Sequence, residues 1–240
     1  MRPVLLLSLL LWLFNSPPHT GSRQAFYTDK SNVSVGKHSN DQPKLMERFA
    51  DSLHIGRKGK AKVEINKYRL ADSTYVTVKF FIRKGSAWSL RNDLSYPCDA
   101  PGGLETQLSD FNNDRLNDLT FVSAASAKGA NEVRRLFIYN DKRQQLIPII
   151  NSQDYPNMLY NKQLNCIDAY LVYGGSSTVF ARLQGNRLST FARVDNMDNY
   201  SKVYVISPSG RERLIRKDKL NDPDDANIRY VNYKPLQANE

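Results

Sequence analysis

From Ala61 onward the chain places apolar residues at every second position, the spacing of a half-buried strand. In Lys62 to Leu70 they are Val63, Ile65 and later Tyr68, and Thr74 to Ile82, "TYVTVKFFI", is β-branched and aromatic throughout. The tight link Ala71-Asp72-Ser73 joins these two runs. The same unit recurs. Val133 to Tyr139 and Gln145 to Ile150 flank Asn140-Asp141-Lys142, and Ala169 to Tyr173 and Thr178 to Leu183 flank Gly174-Gly175-Ser176. Leu188 to Val194 follows Gln184-Gly185-Asn186, and Val203 to Ser207 and Arg213 to Arg216 flank Pro208-Ser209-Gly210. Arg229 to Tyr233 supplies a last strand. Glycine, asparagine and serine at these turns accept positive φ or bond their own backbone. The pattern predicts an all-β domain over residues 61–240, about a dozen short antiparallel strands arranged like a propeller, with a β-sandwich as the alternative.

Before Ala61 the pattern differs. Arg2 precedes an apolar run from Val4 to Phe14, which the breakers Pro17 and Pro18 end. A basic start, about 11 apolar residues and small residues at Thr20, Gly21 and Ser22 describe a signal peptide over 1–22. The run falls short of the about 20 residues a membrane span needs, so the expectation is a periplasmic or secreted protein with no transmembrane span. Residues 23–60 read as a polar leader. Within it "PKLMERFADSL" sets Leu45, Phe49 and Leu53 four apart, which predicts one short helix over Pro43 to Leu53.

Between two apolar runs lies "SDFNNDRLNDLTF", Ser109 to Phe121. Asp110, Asn112 and Asp114 alternate and Asp118 follows at a step of four. With the Leu116 carbonyl they offer hard oxygen ligands at loop positions one, three, five, seven and nine, the donor set that calcium prefers. Two features depart from an EF-hand. Arg115 stands where glycine usually makes the sharp turn, and Phe121 stands where a bidentate Glu would close the shell. Two readings stay open: a loop around a structural calcium ion, or an ion-free loop held by Asx-turns.

The Asp110–Leu119 spacing resembles the DxNxDGxxDL loops of FG-GAP and integrin-type β-propellers, here present once. More widely, "LSDFNNDRLNDLTFVSA", "RRLFIYNDKRQQLIPI" and "YPNMLY" look like a family of bacterial periplasmic proteins with one such loop and a compact propeller-like fold. Some members of that family are similar to invertebrate-type lysozyme inhibitors. The resemblance spans roughly Trp88 to Tyr160. It implies a calcium-pinned β-rich fold and, as one role, the blocking of a cell-wall glycoside hydrolase.

Cys98 and Cys166 are the chain's two cysteines. In an oxidising compartment they either bridge, stabilising by roughly 4 kcal/mol in the chain-entropy model, or stay as two buried thiols. The three histidines are His19, His38 and His54, all before the strand-rich body. Histidine-based nucleophilic catalysis and zinc binding there have no support. Paired carboxylates for glycoside hydrolysis remain an alternative, since their separation is spatial. In "LVYGGSSTVF", Tyr173, Gly174, Gly175 and Ser176 form a hairpin tip that either inserts into a partner or packs on its own sheet. The formal net charge is +10, which draws anionic glycans and acidic proteins. Without interleaved aromatic and glycine motifs it disfavours nucleic acid. Arg57 to Lys60 and Arg211 to Lys219 read as solvated faces or edge-strand protection. The expected function is that of an exported, non-enzymatic binding protein of the cell envelope, its partner a protein or anionic glycan, including a lysozyme-like hydrolase. The alternatives are an envelope glycosidase and a purely structural surface module.

Overall fold

The computed structural model describes residues 42–220 and 226–239. The expected signal peptide and the leader up to residue 41 lie outside the described residues. Residues from Asp41 onward belong to one compact unit. Among the described residues there are sixteen strands, all pairing antiparallel. β1 (Lys44–Asp51), β2 (Ala61–Leu70), β3 (Ser73–Lys84) and β4 (Ala87–Pro97) form a first meander. β5 (Gln107–Ser109), β6 (Asp118–Ser126), β7 (Asn131–Asn140) and β8 (Gln145–Pro148) form a second. The third sheet has six strands in chain order: β9 (Leu159–Asn161), β10 (Cys166–Val172), β11 (Ser176–Gln184), β12 (Arg187–Met197), β13 (Tyr200–Ile206) and β14 (Glu212–Lys219). β15 (Tyr230–Tyr233) and β16 (Leu236–Ala238) close the chain as a hairpin. The protein is all-β, its sheets are open, and each of the first two has the up-and-down order of a propeller blade.

The expected helix over Pro43 to Leu53 is corrected: this stretch is β1. Leu45 and Leu53 are 49% and 56% exposed, so the four-residue stripe buries nothing continuous. What is half-buried is the alternating set Glu47, Phe49 and Asp51. Phe49 pairs with Ile65 and Asp51 with Val63, so β2 captures the segment by its backbone and Phe49 packs against the first core cluster. The β-rich unit accordingly starts before Ala61. Its next turn is built by Asp51, whose Oδ1 accepts the His54 and Ile55 amides at 2.7 and 2.9 Å while Oδ2 lies 2.8 Å from His54 Nδ1.

Alternation in β2 and β3 puts Val63, Ile65, Val76, Val78, Phe80 and Ile82 on one buried face. They meet Leu119, Phe121, Phe137, Tyr139 and Leu146 of the second sheet in one cluster. Each such side chain contributes about 1.5–3 kcal/mol on full burial. Leu136, on the opposite face of β7, packs with Ile149, Tyr155, Ile167 and Ala181 in a second cluster toward the third sheet. The far face of that sheet, with Phe180, Ala192, Val194 and Val203, lies under Tyr230, Tyr233 and Leu236 of the final hairpin. The hairpin is tied down by Asn161, which donates to Asp168 Oδ2 and to the Val231 carbonyl at 2.9 Å each, and by Arg229, which pairs with Asp168.

The expected disulfide is also corrected. Cys98 and Cys166 are free and buried. Cys98 belongs to the first cluster and Cys166 to the third. Burial and the neighbouring Asp168 carboxylate push the Cys166 thiol up to about 12, which makes it unreactive.

Gly175, in the turn between β10 and β11, cannot be replaced cheaply: a Cβ there would lie 2.3 Å from the Asn196 carbonyl oxygen. A backbone atom cannot swing aside as a side-chain tip can. Gly175→Ala is therefore expected to destabilise the fold by about 2 kcal/mol or more. Denaturant unfolding checks it; a loss within experimental error of zero contradicts the packing at this turn.

Candidate functional site

The Asp/Asn loop is the tip of the β5–β6 hairpin, where Ser109 pairs with Asp118. The five residues predicted as ligands all lie on or beside this tip, and almost every side-chain oxygen organises backbone. Asp110 Oδ1 accepts the Asn112 and Asp114 amides at 3.2 Å each, and Oδ2 accepts the Arg115 amide at 2.7 Å. Asn112 Oδ1 accepts the Asp114 amide at 3.1 Å, and Asp114 Oδ1 accepts the Leu116 amide at 2.8 Å. Asn112 Nδ2 donates to Asp114 Oδ2 at 2.9 Å. These are Asx-turns nested one inside the next. They require left-handed backbone at two positions, Asn113 at φ 62° and Arg115 at φ 69°. Asparagine tolerates this; at Arg115 the missing glycine costs about 1 kcal/mol.

Asp118 differs from the rest. It is fully buried. Oδ2 accepts the Phe111 amide and Oδ1 the Tyr139 amide, both at 2.8 Å, so one carboxyl group joins the start of the loop to β7. Burial pushes its pKa up to about 8; the two amides act against this, and the nearby Asp114 and Asp110 charges add to it. The loop also grips the first sheet. Asn117 Nδ2 donates to the His54 carbonyl, and the Gly56 amide donates to the Asn117 carbonyl, each at 3.0 Å. Gly56 sits at φ +54° with the Tyr139 ring 3.0 Å from where a Cβ would be, so only glycine fits between loop and ring. Next to it Arg57 holds Asp141 through two 2.6 Å bonds.

For a cation the donor chemistry fits: every group is a hard oxygen, and an oxygen that accepts one N–H keeps a second lone pair. Among the described residues, no three His, Cys, Asp or Glu side chains are gathered tightly enough to hold a metal by themselves. Asn112 and the Leu116 carbonyl would have to complete the shell.

The hairpin tip at Tyr173 is more closed than its sequence implies. Tyr173 is 48% exposed, but its hydroxyl lies 2.6 Å from Ser177 Oγ and 3.3 Å from the Ser176 carbonyl, folding the ring back along its own hairpin. Ser176 is fully buried and donates to the Ala226 carbonyl. Tyr173 and Gly174 remain exposed, Gly175 is half-buried, and Ser176 has no free surface for a partner. The basic stretch Arg211 to Lys219 falls on β14, the outer strand of the third sheet, where charge discourages edge pairing.

Sequence reasoning missed a surface beside the loop. Ser109, Asp110 and Asn113 face Leu159, Tyr160 and Lys162 of the β9 region across an open cleft of about 550 Å³. On the other side of Tyr160 a smaller cleft of about 210 Å³ is lined by Asn112, Asn165 and Arg182 among others. The stretch "YPNMLYNK" holds the signal, an aromatic two residues before a lysine, but its proximity to the loop is a tertiary fact.

No family model and no curated protein matches the chain. Two solved chains match. One of them, described as the structure of a Xanthomonas type IV secretion system related protein, is 10% identical with a TM-score of 0.47, covering 73% of this chain and 99% of that one. No helix among the described residues is long and apolar enough to cross a membrane.

The buried carboxyl sets a pH dependence. Between about 4, where an ordinary Asp ionises, and about 8, where Asp118 does, the folded protein holds a proton that the unfolded chain has released. Stability in chelator should fall as pH rises through that window, and Asp118→Asn, which cannot titrate, should remove that part of the slope. Denaturant midpoints of both proteins from pH 5 to about 9 check this; parallel curves contradict it.

Proposed function

We propose that the chain is an exported, non-catalytic binding protein of the cell envelope, periplasmic or secreted, whose Asp/Asn loop holds a structural calcium ion. The side chains of Asp110, Asn112, Asp114 and Asp118 and the Leu116 carbonyl would hold it. When bound, it supplies positive charge among carboxylates that otherwise repel one another. Its partner is a protein or an anionic glycan, and a lysozyme-like hydrolase is the protein class that the sequence resemblance favours.

The observation that carries the calcium assignment is the backbone at Arg115. A residue that disfavours left-handed φ adopts it at the position where calcium loops place glycine. Asp110 holds that turn by accepting the Arg115 amide. The strain is sustained by the Asx-turns of a loop rich in hard oxygens. A binding role is favoured over histidine-based catalysis because His54, the histidine among the described residues, is exposed and engaged with Asp51. The net charge of +10 suits an acidic partner by complementarity.

Thermal melting tests the loop. With calcium at millimolar levels, typical of extracellular sites, the midpoint should rise relative to chelator by several degrees, and Asp114→Asn should abolish most of the rise. Magnesium should act weakly, given its demand for octahedral geometry. Identical midpoints in calcium and chelator contradict the assignment.

A further inference from the structure

The cleft between the loop and β9 has the makings of a ligand site. Its volume, about 550 Å³, lies within the range of small-molecule sites. Tyr160 forms its wall. The Tyr160 hydroxyl donates to Asn165 Oδ1 at 2.7 Å, and the ring packs at the margin of the second core cluster. The ring is therefore fixed before any ligand arrives, with little conformational freedom left to lose. Around it stand two groups that both donate and accept, Ser109 and Asn113, the acceptor Asp110 on the same side, and the donor Lys162 opposite. Leu159 is the one aliphatic side chain in this lining and is 49% exposed.

We propose that this cleft binds a glycan chain carrying carboxylate groups; the inference deepens the binding-protein reading and rests on it. A sugar ring offers an apolar C–H face to stack on Tyr160 and a rim of hydroxyls for Asn113 and Ser109. The Lys162 ammonium, exposed at the cleft, pairs with the sugar carboxylate. Arg182, its guanidinium 4.2 Å from the Phe191 ring centre, lines the smaller cleft that also borders Tyr160 and adds a second cation nearby. The excess of positive charge over the whole chain raises the local concentration of such a polymer.

Calorimetric titration of the full mature chain tests it, with three probes: an oligoglucuronate hexamer, the neutral hexamer cellohexaose and a hexaglutamate peptide, each in calcium and in chelator. The acidic sugar should bind about tenfold or more tighter than the neutral one, and the peptide weakest. Tyr160→Ala should lose about tenfold in affinity for both sugars, while Tyr160→Phe keeps most of it, because its ring still stacks and still packs against the second core cluster although the Asn165 bond is gone. Lys162→Glu, a surface change that leaves the fold intact, should erase the preference for the acidic sugar and keep the neutral one's affinity. No saturable sugar binding, unaltered binding by Tyr160→Ala and Lys162→Glu, or equal binding of the glutamate peptide overturns the proposal. If no sugar binds but the protein still melts higher in calcium, the cleft assignment falls and the calcium-loop reading stands.

Discussion

One buried carboxyl group holds this fold's central joint together. Asp118 opens β6 fully buried and accepts one amide from Phe111 at the start of its own loop and one from Tyr139 on β7. Phe111 lies in no strand, and a buried N–H left without an acceptor costs about 1–3 kcal/mol. The group therefore sets the loop's shape and its distance from the sheet together. The nested Asx-turns of Asp110, Asn112 and Asp114 begin beside that anchor.

The joint extends outward in two directions. Toward the first sheet, Asn117 is held by the turn at His54 to Gly56, which is itself capped by Asp51 and pressed against the Tyr139 ring. Toward the third sheet, Asp110 and Asn113 face Tyr160 and Lys162 across the cleft. The loop thus borders three structural neighbours at once, and this links architecture to the proposed function. A cation that stiffens the loop would stiffen one wall of the cleft, while β9, a short strand at the edge of its sheet, forms the other.

Some of this was legible in the chain itself. β2 and β3 follow directly from alternation of β-branched and aromatic residues, and the turns at Ala71-Asp72 and Gly185-Asn186 lie where their residue types place them. β1 was misread because Leu45, Phe49 and Leu53 satisfy a helical stripe; only the free edge of β2, invisible in local pattern, makes it a strand. β4 passed unseen since its residues alternate between exposed and half-buried without a run of β-branched side chains. At the loop, spacing revealed the residues and the strained Arg115, but not that Asp118 points inward, which depends on β7 arriving beside it. The two cysteines looked pairable by compartment and count, yet separate core clusters hold them apart.

Native-state hydrogen exchange at the amides of Phe111 and Tyr139 tests the central joint most directly. Both are expected to exchange only through global unfolding, with protection close to the stability of the whole protein. Fast exchange of either amide, while neighbouring amides of β6 and β7 stay protected, would mean that the Asp118 carboxyl does not hold the loop to the sheet.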